Sequence, residues 1–350
     1  MAVRLLTYNL WHGLDGQGLL FFGELEPRKR KLARAQVQIE CLRRWSADLL
    51  FLQEVNPLFP AAYYYSSQLG KDHISQMDLS GIKLLGFGPP FNLQSGQVIL
   101  APKKWRLRSL GGEQLSGDRP ANQGLFSFQL RESRYALFGE MEHPSWGRVL
   151  LANVHLHHGL EYDNSWNLIL NRAVQEGELL ESERRILQRQ LLKGDVRREK
   201  EVNRLLLKIE SLSSKYDLVL VAGDFNSSPA SPVVRMMHSA GFQDSWLASG
   251  QALPGLTWSH QGNEENHAFN DGFQGGFTWD EDAGPESIRG RLLSLAHEAE
   301  RRPRRIDYLF YRTSHKVLLK TELFTGQSEE SDLFGSDHFG LGVIMQKAAN

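Results

Sequence analysis

Polar residues stand at the carboxyl ends of several apolar runs, and their types suit acid–base or metal chemistry on water. In LVLVAGDFNSSP, residues 218–229, Asp224 and Asn226 are two apart. An extended chain puts both on one face, and Phe225 on the other, toward the core. A carboxylate beside a carboxamide either caps a strand that becomes a loop or holds a water or a hard cation. Gly223 leaves the backbone open to close approach. In NVHLHHG, Asn153, His155 and His157 share one face while Val154 and Leu156 share the other. Asn9 closes the first apolar run, and Glu54 closes ADLLFLQEVN. Asp307 lies in RIDYLF between inward Ile306 and Tyr308. Asp337 and His338 adjoin in FGSDHFG, so they serve one site only where the backbone turns, which Gly335 and Ser336 permit.

These residues need strands to hold them. Short apolar runs bounded by turn residues predict buried strands over 3–10, 48–52 and 218–222. Alternating patterns predict antiparallel strands over 87–100, 105–110, 125–130, 135–142 and 148–157. Residues 13–23 form a Gly-rich loop with an apolar tip, Leu19, Leu20, Phe21 and Phe22. Leu32, Ala35, Ile39, Leu42 and Trp45 share one helical face over 28–45. Residues 58–82 read as helix, then loop. Residues 160–215 fit two long amphipathic helices broken near Gly194–Asp195, with charges mixed in sign, a solvated face by default. Ser231 caps a helix that has Pro232 at its first position and Gly241 after its end. Residues 247–305 are Gly-rich and weakly patterned, with two similar pieces, GLTWSHQGN and GGFTWDEDAG, too few for a repeat architecture. The cluster Arg301, Arg302, Arg304 and Arg305 directly precedes the Asp307 strand.

Composition narrows the class. The chain has 350 residues, is 41% hydrophobic and 23% charged, and carries a formal net charge of -1, as in an ordinary globular enzyme. No global basic field gathers nucleic acid, so any attraction for anions is local. The single cysteine, Cys41, falls in a helical pattern and reads as core rather than nucleophile. A reducing, cytoplasmic setting fits. The opening MAVRLLTYNLW has no signal-peptide pattern, and no apolar run is long enough to span a membrane.

Taken in order, TYNLW, LQEVN, NVHLHHG, GDFNSSP, RIDYLF and SDHFG resemble the motifs of the endonuclease/exonuclease/phosphatase superfamily, which includes pancreatic-type deoxyribonucleases, apurinic endonucleases, inositol polyphosphate 5-phosphatases and neutral sphingomyelinases. The resemblance runs from Thr7 to Gly340. It implies one α/β domain over 1–350, a four-layer α/β/β/α sandwich of the DNase I type, with two mostly antiparallel mixed sheets face to face and helices outside. The stretches 160–215 and 247–305 would be a helical insert and a long loop region. It implies that Glu54 binds Mg2+ or Mn2+ with Asn9 and Asp337 nearby. His338 would take a proton from the attacking water, oriented by Asp307. Asp224 and Asn226 would position that water and a phosphate oxygen, and His155 would contact the phosphate or help the leaving group. His157 would bind substrate, and Arg304 and Arg305, from their place directly before the Asp307 strand rather than from the resemblance, are expected to attract the substrate phosphate. Trp11 two after Asn9, and the pair His155 and His157, look like the sphingomyelinase-like branch. The expectation is therefore a metal-dependent phosphodiesterase for a lipid or small phosphoester, with residues 19–22 touching a lipid interface. The alternatives are a nuclease for DNA or RNA and a non-catalytic scaffold of the same fold.

Overall fold

A computed structural model describes residues 2–14, 18–84, 87–117, 122–123, 126–159, 161–162, 164–252, 254–259 and 303–348. Most of the 247–305 loop region, including Arg301, Arg302 and the second of the two similar pieces, lies outside them. In chain order the elements are β1 (Val3–Asn9), α1 (Arg28–Trp45), β2 (Leu49–Val55), α2 (Leu58–Leu69), β3 (Lys71–Met77), β4 (Leu79–Leu84), β5 (Gly96–Pro102), β6 (Arg108–Gln114), β7 (Asn122–Gln123), β8 (Phe126–Ser133), β9 (Tyr135–His143) and β10 (Gly147–His155). There follow α3 (Asn164–Gln175), α4 (Glu181–Ser213), β11 (Leu218–Asp224), α5 (Pro232–Ser239), β12 (Gln243–Asp244), α6 (Ser245–Ala248), β13 (Asp307–Thr313), β14 (Val317–Phe324) and β15 (Gly340–Lys347).

Among the described residues, one six-stranded sheet has the order β14-β15-β1-β2-β5-β3 and a second has β12-β13-β11-β10-β9-β6. Both are mixed, because β1 runs parallel to β2 and β10 parallel to β11 while their other pairings are antiparallel. The sheets meet face to face. Leu5, Leu49, Phe51 and Ile99 from one pack with Leu137, Leu151, Leu220 and Leu309 from the other in a single buried cluster. The outer face of the second sheet packs on α4 and α5 through Val202, Leu205, Ile209 and Met237. The outer face of the first packs on α1 and α2 through Val37, Leu42, Ala62 and Tyr65. This is the expected four-layer α/β sandwich. Each sheet has one dry face toward the other and one toward helices, so its central strands are apolar throughout.

Two local expectations change. The 160–215 segment does fold as helices, but α4 continues through Gly194–Asp195. A helix-interior glycine costs only about 1 kcal/mol, and Asp195 repays it by binding Arg198 one turn on and accepting from the Tyr162 amide at 3.0 Å. The break comes at Gly177, with φ +75°. Residues 71–77, read as loop, form β3, a half-buried strand at the sheet edge whose polar side chains hid its pairing with β5.

Candidate active site

Strand register builds half of the site. On the parallel pair β10 and β11, His155 lies opposite Asp224. On the antiparallel pair β11 and β13, Asp224 lies opposite Asp307. The three residues therefore form one row across three adjacent strands of the second sheet. The first sheet supplies Asn9, from the end of β1, and Glu54, from the end of β2. Asn9 joins the sheets, its Nδ2 donating to Glu54 Oε1 at 3.0 Å and to Asp224 Oδ2 at 3.1 Å. Beneath them Gln53 Nε2 donates to Asn153 Oδ1 at 2.7 Å, and Asn153 Nδ2 donates to the carbonyls of Leu52 and Val98. Asn153 is thus a buried strut between the sheets.

The last turn brings in His338. Ser336 Oγ accepts from the His338 amide at 3.1 Å and donates to Asp337 Oδ1 at 3.2 Å. With the chain folded back this way, His338 Nδ1 comes within 2.9 Å of Asp307 Oδ2, and its Nε2 lies 3.8 Å from Asp224 Oδ2. Three site positions hold left-handed backbone without being glycine: Trp11 (φ 55°), Glu54 (φ 55°) and Asn226 (φ 48°). Such conformations cost of order 1 kcal/mol or more each, and persist where surrounding contacts enforce them.

Electrostatics separate the groups. Burial works against a charged His338, yet the carboxylates of Asp307, Asp337 and Asp224 outweigh it and push its pKa up to about 10. Burial and the neighbouring Asp307 charge raise Asp224. Asp337 is raised by burial, with Glu54 adding to the effect. Glu54 goes the other way. Burial would raise it, but the imidazoles of His12 and His155, the Asn9 amide and the His12 backbone N–H hold it well below the carboxylate range.

Several positioning residues carried no signal in the sequence. Arg34 reads as part of the charged face of α1 but is buried. It donates to the carbonyls of Leu10 at 2.6 Å, Trp11 at 2.9 Å and Gly335 at 2.9 Å, and it pairs with Glu26 at 3.0 Å. It therefore ties the loop after Asn9 to the turn before Asp337. Thr257, in the first GLTW piece, has Oγ1 accepting from the amides of Ile306 and Asp307, both at 3.1 Å, and its carbonyl accepts from Phe339 at 2.7 Å. The neighbouring Trp258 stacks edge-on against His338, with ring centroids 4.7 Å apart. His12 lies 3.5 Å from Glu54 Oε2. Gly223 has φ +143°, and a Cβ there would meet the Val154 carbonyl oxygen at 1.9 Å. The space at Gly223 is taken by the adjacent strand, not left for a ligand.

Other expected residues are placed differently. Asn226 lies beyond the end of β11, and its Nδ2 donates to the Leu156 carbonyl at 3.1 Å while its amide donates to Asp224 Oδ1 at 2.8 Å. It shares no strand face with Asp224. β10 ends at His155, so His157 does not continue its face. The His157 amide donates to Glu201 on α4 at 2.8 Å, and its imidazole is kept neutral by burial and by His158, Arg197, Arg134 and Arg198. Arg305 does not fit the expected role in substrate attraction. It is 3% exposed, bonded to Asp244 Oδ2 at 2.6 Å and stacked over Tyr308, so its charge is already compensated. Arg304 exchanges two backbone hydrogen bonds with Trp258. Cys41 is buried, its thiol against the Gln327 carbonyl.

The donors suit a hard divalent cation. Glu54, Asp224, Asp307 and Asp337 bring four carboxylates together, with His155 and His338 as their imidazole neighbours. Asp224, Asp307 and His338 offer ligand atoms all within 4.8 Å of one another. Asp307 Oδ1 is buried with no hydrogen-bond partner among the described residues. The raised pKa values of Asp224 and Asp337 and the unpartnered Asp307 oxygen fit a divalent cation at this site.

Solved structures share this architecture. An endonuclease/exonuclease/phosphatase from Bacteroides vulgatus aligns over 99% of this chain and 100% of its own, at 15% identity and TM-score 0.58. The human Nocturnin catalytic domain, with bound sulfate, aligns over 99% and 95% at 15% identity and TM-score 0.55. D. rerio TDP2, complexed with single-strand DNA product, aligns over 99% of each chain at 16% identity and TM-score 0.53. At such identities the likeness is one of fold. No curated protein matches the sequence. The sequence itself matches the model of the Endonuclease/Exonuclease/phosphatase family over residues 6–338, a span that takes in every strand end of the site, and the chain belongs to that family.

Proposed function

We propose that the protein is a divalent-metal-dependent phosphodiesterase that hydrolyses a lipid or other small phosphoester. The observation that carries this reading is the Asp307–His338 pair at 2.9 Å, set among carboxylates from both sheets. Asp307 fixes the imidazole with Nδ1–H toward itself, and in the metal-loaded protein, where the carboxylates that raise this ring would be shared with a cation, Nε2 on the side of Asp224 would be free to accept a proton from water. Asp224 positions that water. His155, on the same row, faces the phosphoryl group. Glu54 and Asp337, with Asn9 beside them, would hold Mg2+ or Mn2+. When bound, the cation supplies neutralisation of the charge that builds on the phosphoryl oxygens.

The lipid assignment rests on an apolar rim. Leu19, Leu20 and Phe21 are 90%, 61% and 59% exposed. They are held by design of the backbone rather than loosely: the Phe91 amide donates to the Leu20 carbonyl at 2.8 Å, Phe22 and Asn92 exchange two hydrogen bonds, and the Phe21 and Phe91 rings lie 5.6 Å apart. Phe87, Leu84 and Ile82 add exposed apolar surface on the adjoining turn. Its buried Lys83 ammonium donates to the carbonyls of Gly88, Pro90 and Leu93. A fixed, exposed apolar rim fits an interface with lipid.

A second reading, a nuclease, is favoured by one observation. A groove of about 470 Å³ on α4 is lined by Arg189, Lys193, Arg197 and Lys200 with Leu192 and Val196. Arg189, Lys193 and Lys200, with Arg197 that also binds Glu201 and Ser116, set cations along one stripe, as suits a phosphate backbone.

One panel decides between them. Sphingomyelin and phosphoinositide vesicles, single- and double-stranded DNA, RNA and a nitrophenyl diester are offered with and without Mg2+. Lipid turnover that falls at least tenfold in Leu20→Ser/Phe21→Ser supports the lipid reading. Nucleic-acid turnover that falls in Lys193→Gln/Lys200→Gln supports the nuclease. Glu54→Gln should cut metal-dependent turnover about a hundredfold, and a fully active Glu54→Gln removes Glu54 from the site.

A further inference from the structure

The two site histidines have opposite partners. His338 faces a carboxylate, whereas His155 faces a guanidinium. Arg134, between β8 and β9, is buried, with Nη1 2.9 Å from His155 Nδ1 and Nη2 3.2 Å from His158 Nδ1. Its charge is balanced by Asp78, at 3.6 Å, and Asp78 is itself fixed by the Tyr135 amide and the Gln97 side chain. A guanidinium stays charged and offers only donors. An imidazole nitrogen bonded to it must therefore be the acceptor. A ring whose Nδ1 accepts carries its single proton on Nε2. His155 Nε2 lies 3.6 Å from Asp224 Oδ2 and 3.8 Å from Glu54 Oε1, too far for a hydrogen bond to either, so its N–H is directed into the space between the two carboxylates.

We propose that Arg134 is a positioning residue that locks His155 as the Nε2–H tautomer, making His155 a neutral hydrogen-bond donor to a phosphoryl oxygen rather than a proton donor to the leaving group. The inference rests on the phosphoester reading above for the identity of the acceptor, but the tautomer itself does not depend on it. A neutral N–H held in place strengthens its bond as negative charge grows on the phosphoryl oxygen, with no proton transferred. Asp78–Arg134–His155 is thus the electrostatic inverse of Asp307–His338. One histidine is tuned to take a proton and the other to keep one.

The test combines a spectrum and kinetics. Long-range 15N–1H correlation on protein labelled with 15N-histidine reads the His155 tautomer at neutral pH, with His155→Gln giving the assignment. The expected result is Nε2–H in the wild-type protein. In Arg134→Met the Nδ1–H form should appear and kcat should fall about a hundredfold, as expected for a misdirected donor, with KM changed less than about threefold. Arg134→Lys, which restores a cationic donor, should recover the tautomer and most of kcat. A wild-type Nδ1–H ring overturns the proposal, and so does an Arg134→Met protein with unchanged tautomer and kcat. The wild-type spectrum decides even where Arg134→Met does not fold. It needs no substrate, so failure of the phosphoester reading would show separately, as an absence of turnover in the wild-type protein.

Discussion

At the scale of single residues, the site depends on pairings that no local element could supply. Asp307 and His338 are 31 positions apart and meet at 2.9 Å. Groups that act as one catalytic unit are not additive. His338→Ala and Asp307→Ala are each expected to lower kcat by about a thousandfold or more, and the double variant only slightly beyond the worse single one. Fully additive losses would mean the two act independently. The neighbouring carboxylates that push the His338 pKa up to about 10 give a second handle. A divalent cation competes with the imidazolium for the same carboxylates. Titration by NMR should therefore show the His338 pKa falling by about one unit or more when Mg2+ is added. A pKa indifferent to Mg2+ would place the cation away from Asp224, Asp307 and Asp337.

At the scale of elements, loops and helices hold the strand ends in place. Arg34 on α1 binds Glu26 and three carbonyls in two loops. Arg34→Met leaves Glu26 with Arg30 and the Leu10 and Gly335 carbonyls with Gln38 alone, and removes the contact to the Trp11 carbonyl, at a cost of about 1–3 kcal/mol, measurable by urea unfolding. Adding Glu26→Leu should restore part of the stability, but turnover should stay low because Gln38 alone then spans the Leu10 and Gly335 loops. Recovery of both would reduce Arg34 to a stability role. At the junction of β10 and α4, His157 is buried and neutral, its folded pKa lowered below the unfolded value of about 6.5. Below that pH the unfolded chain takes up a proton that the folded chain refuses, so wild-type stability is lost through this group as pH falls. Relative to wild type, His157→Gln should gain about 1.4 kcal/mol per pH unit between about pH 6 and pH 5. Parallel stability curves would refute the buried neutral ring.

At the scale of the whole molecule, the strands and their polar ends were legible in the sequence because an apolar run followed by Asp, Asn or Glu is a local pattern. The order of Asn9, Glu54, His155, Asp224, Asp307 and Asp337–His338 then pointed to one edge of a sandwich. Other features were hidden because their physics is tertiary. Arg34 and Arg134 look like ordinary surface cations until the fold buries them, and Thr257 sits in a segment without periodicity. Arg305 looked available for substrate because the sequence does not show Asp244 beside it. β3 was missed because an edge strand faces solvent and need not be apolar.

The pairing of β1 with β15 has a consequence for the protein while it is being made. β1 takes β2 on one side and β15 on the other, and Asp337 and His338 enter only just before β15. A ribosome that has translated through residue 330 has produced Asn9, Glu54, His155, Asp224 and Asp307, yet the proton acceptor of the proposed chemistry does not exist. The open side of β1 is also an unpaired edge until then, a target for chaperones or for other nascent chains. The proposed hydrolysis therefore becomes possible in one step, when the last strand closes the first sheet, and a chain halted before that point carries acids of the candidate site without the base proposed for it.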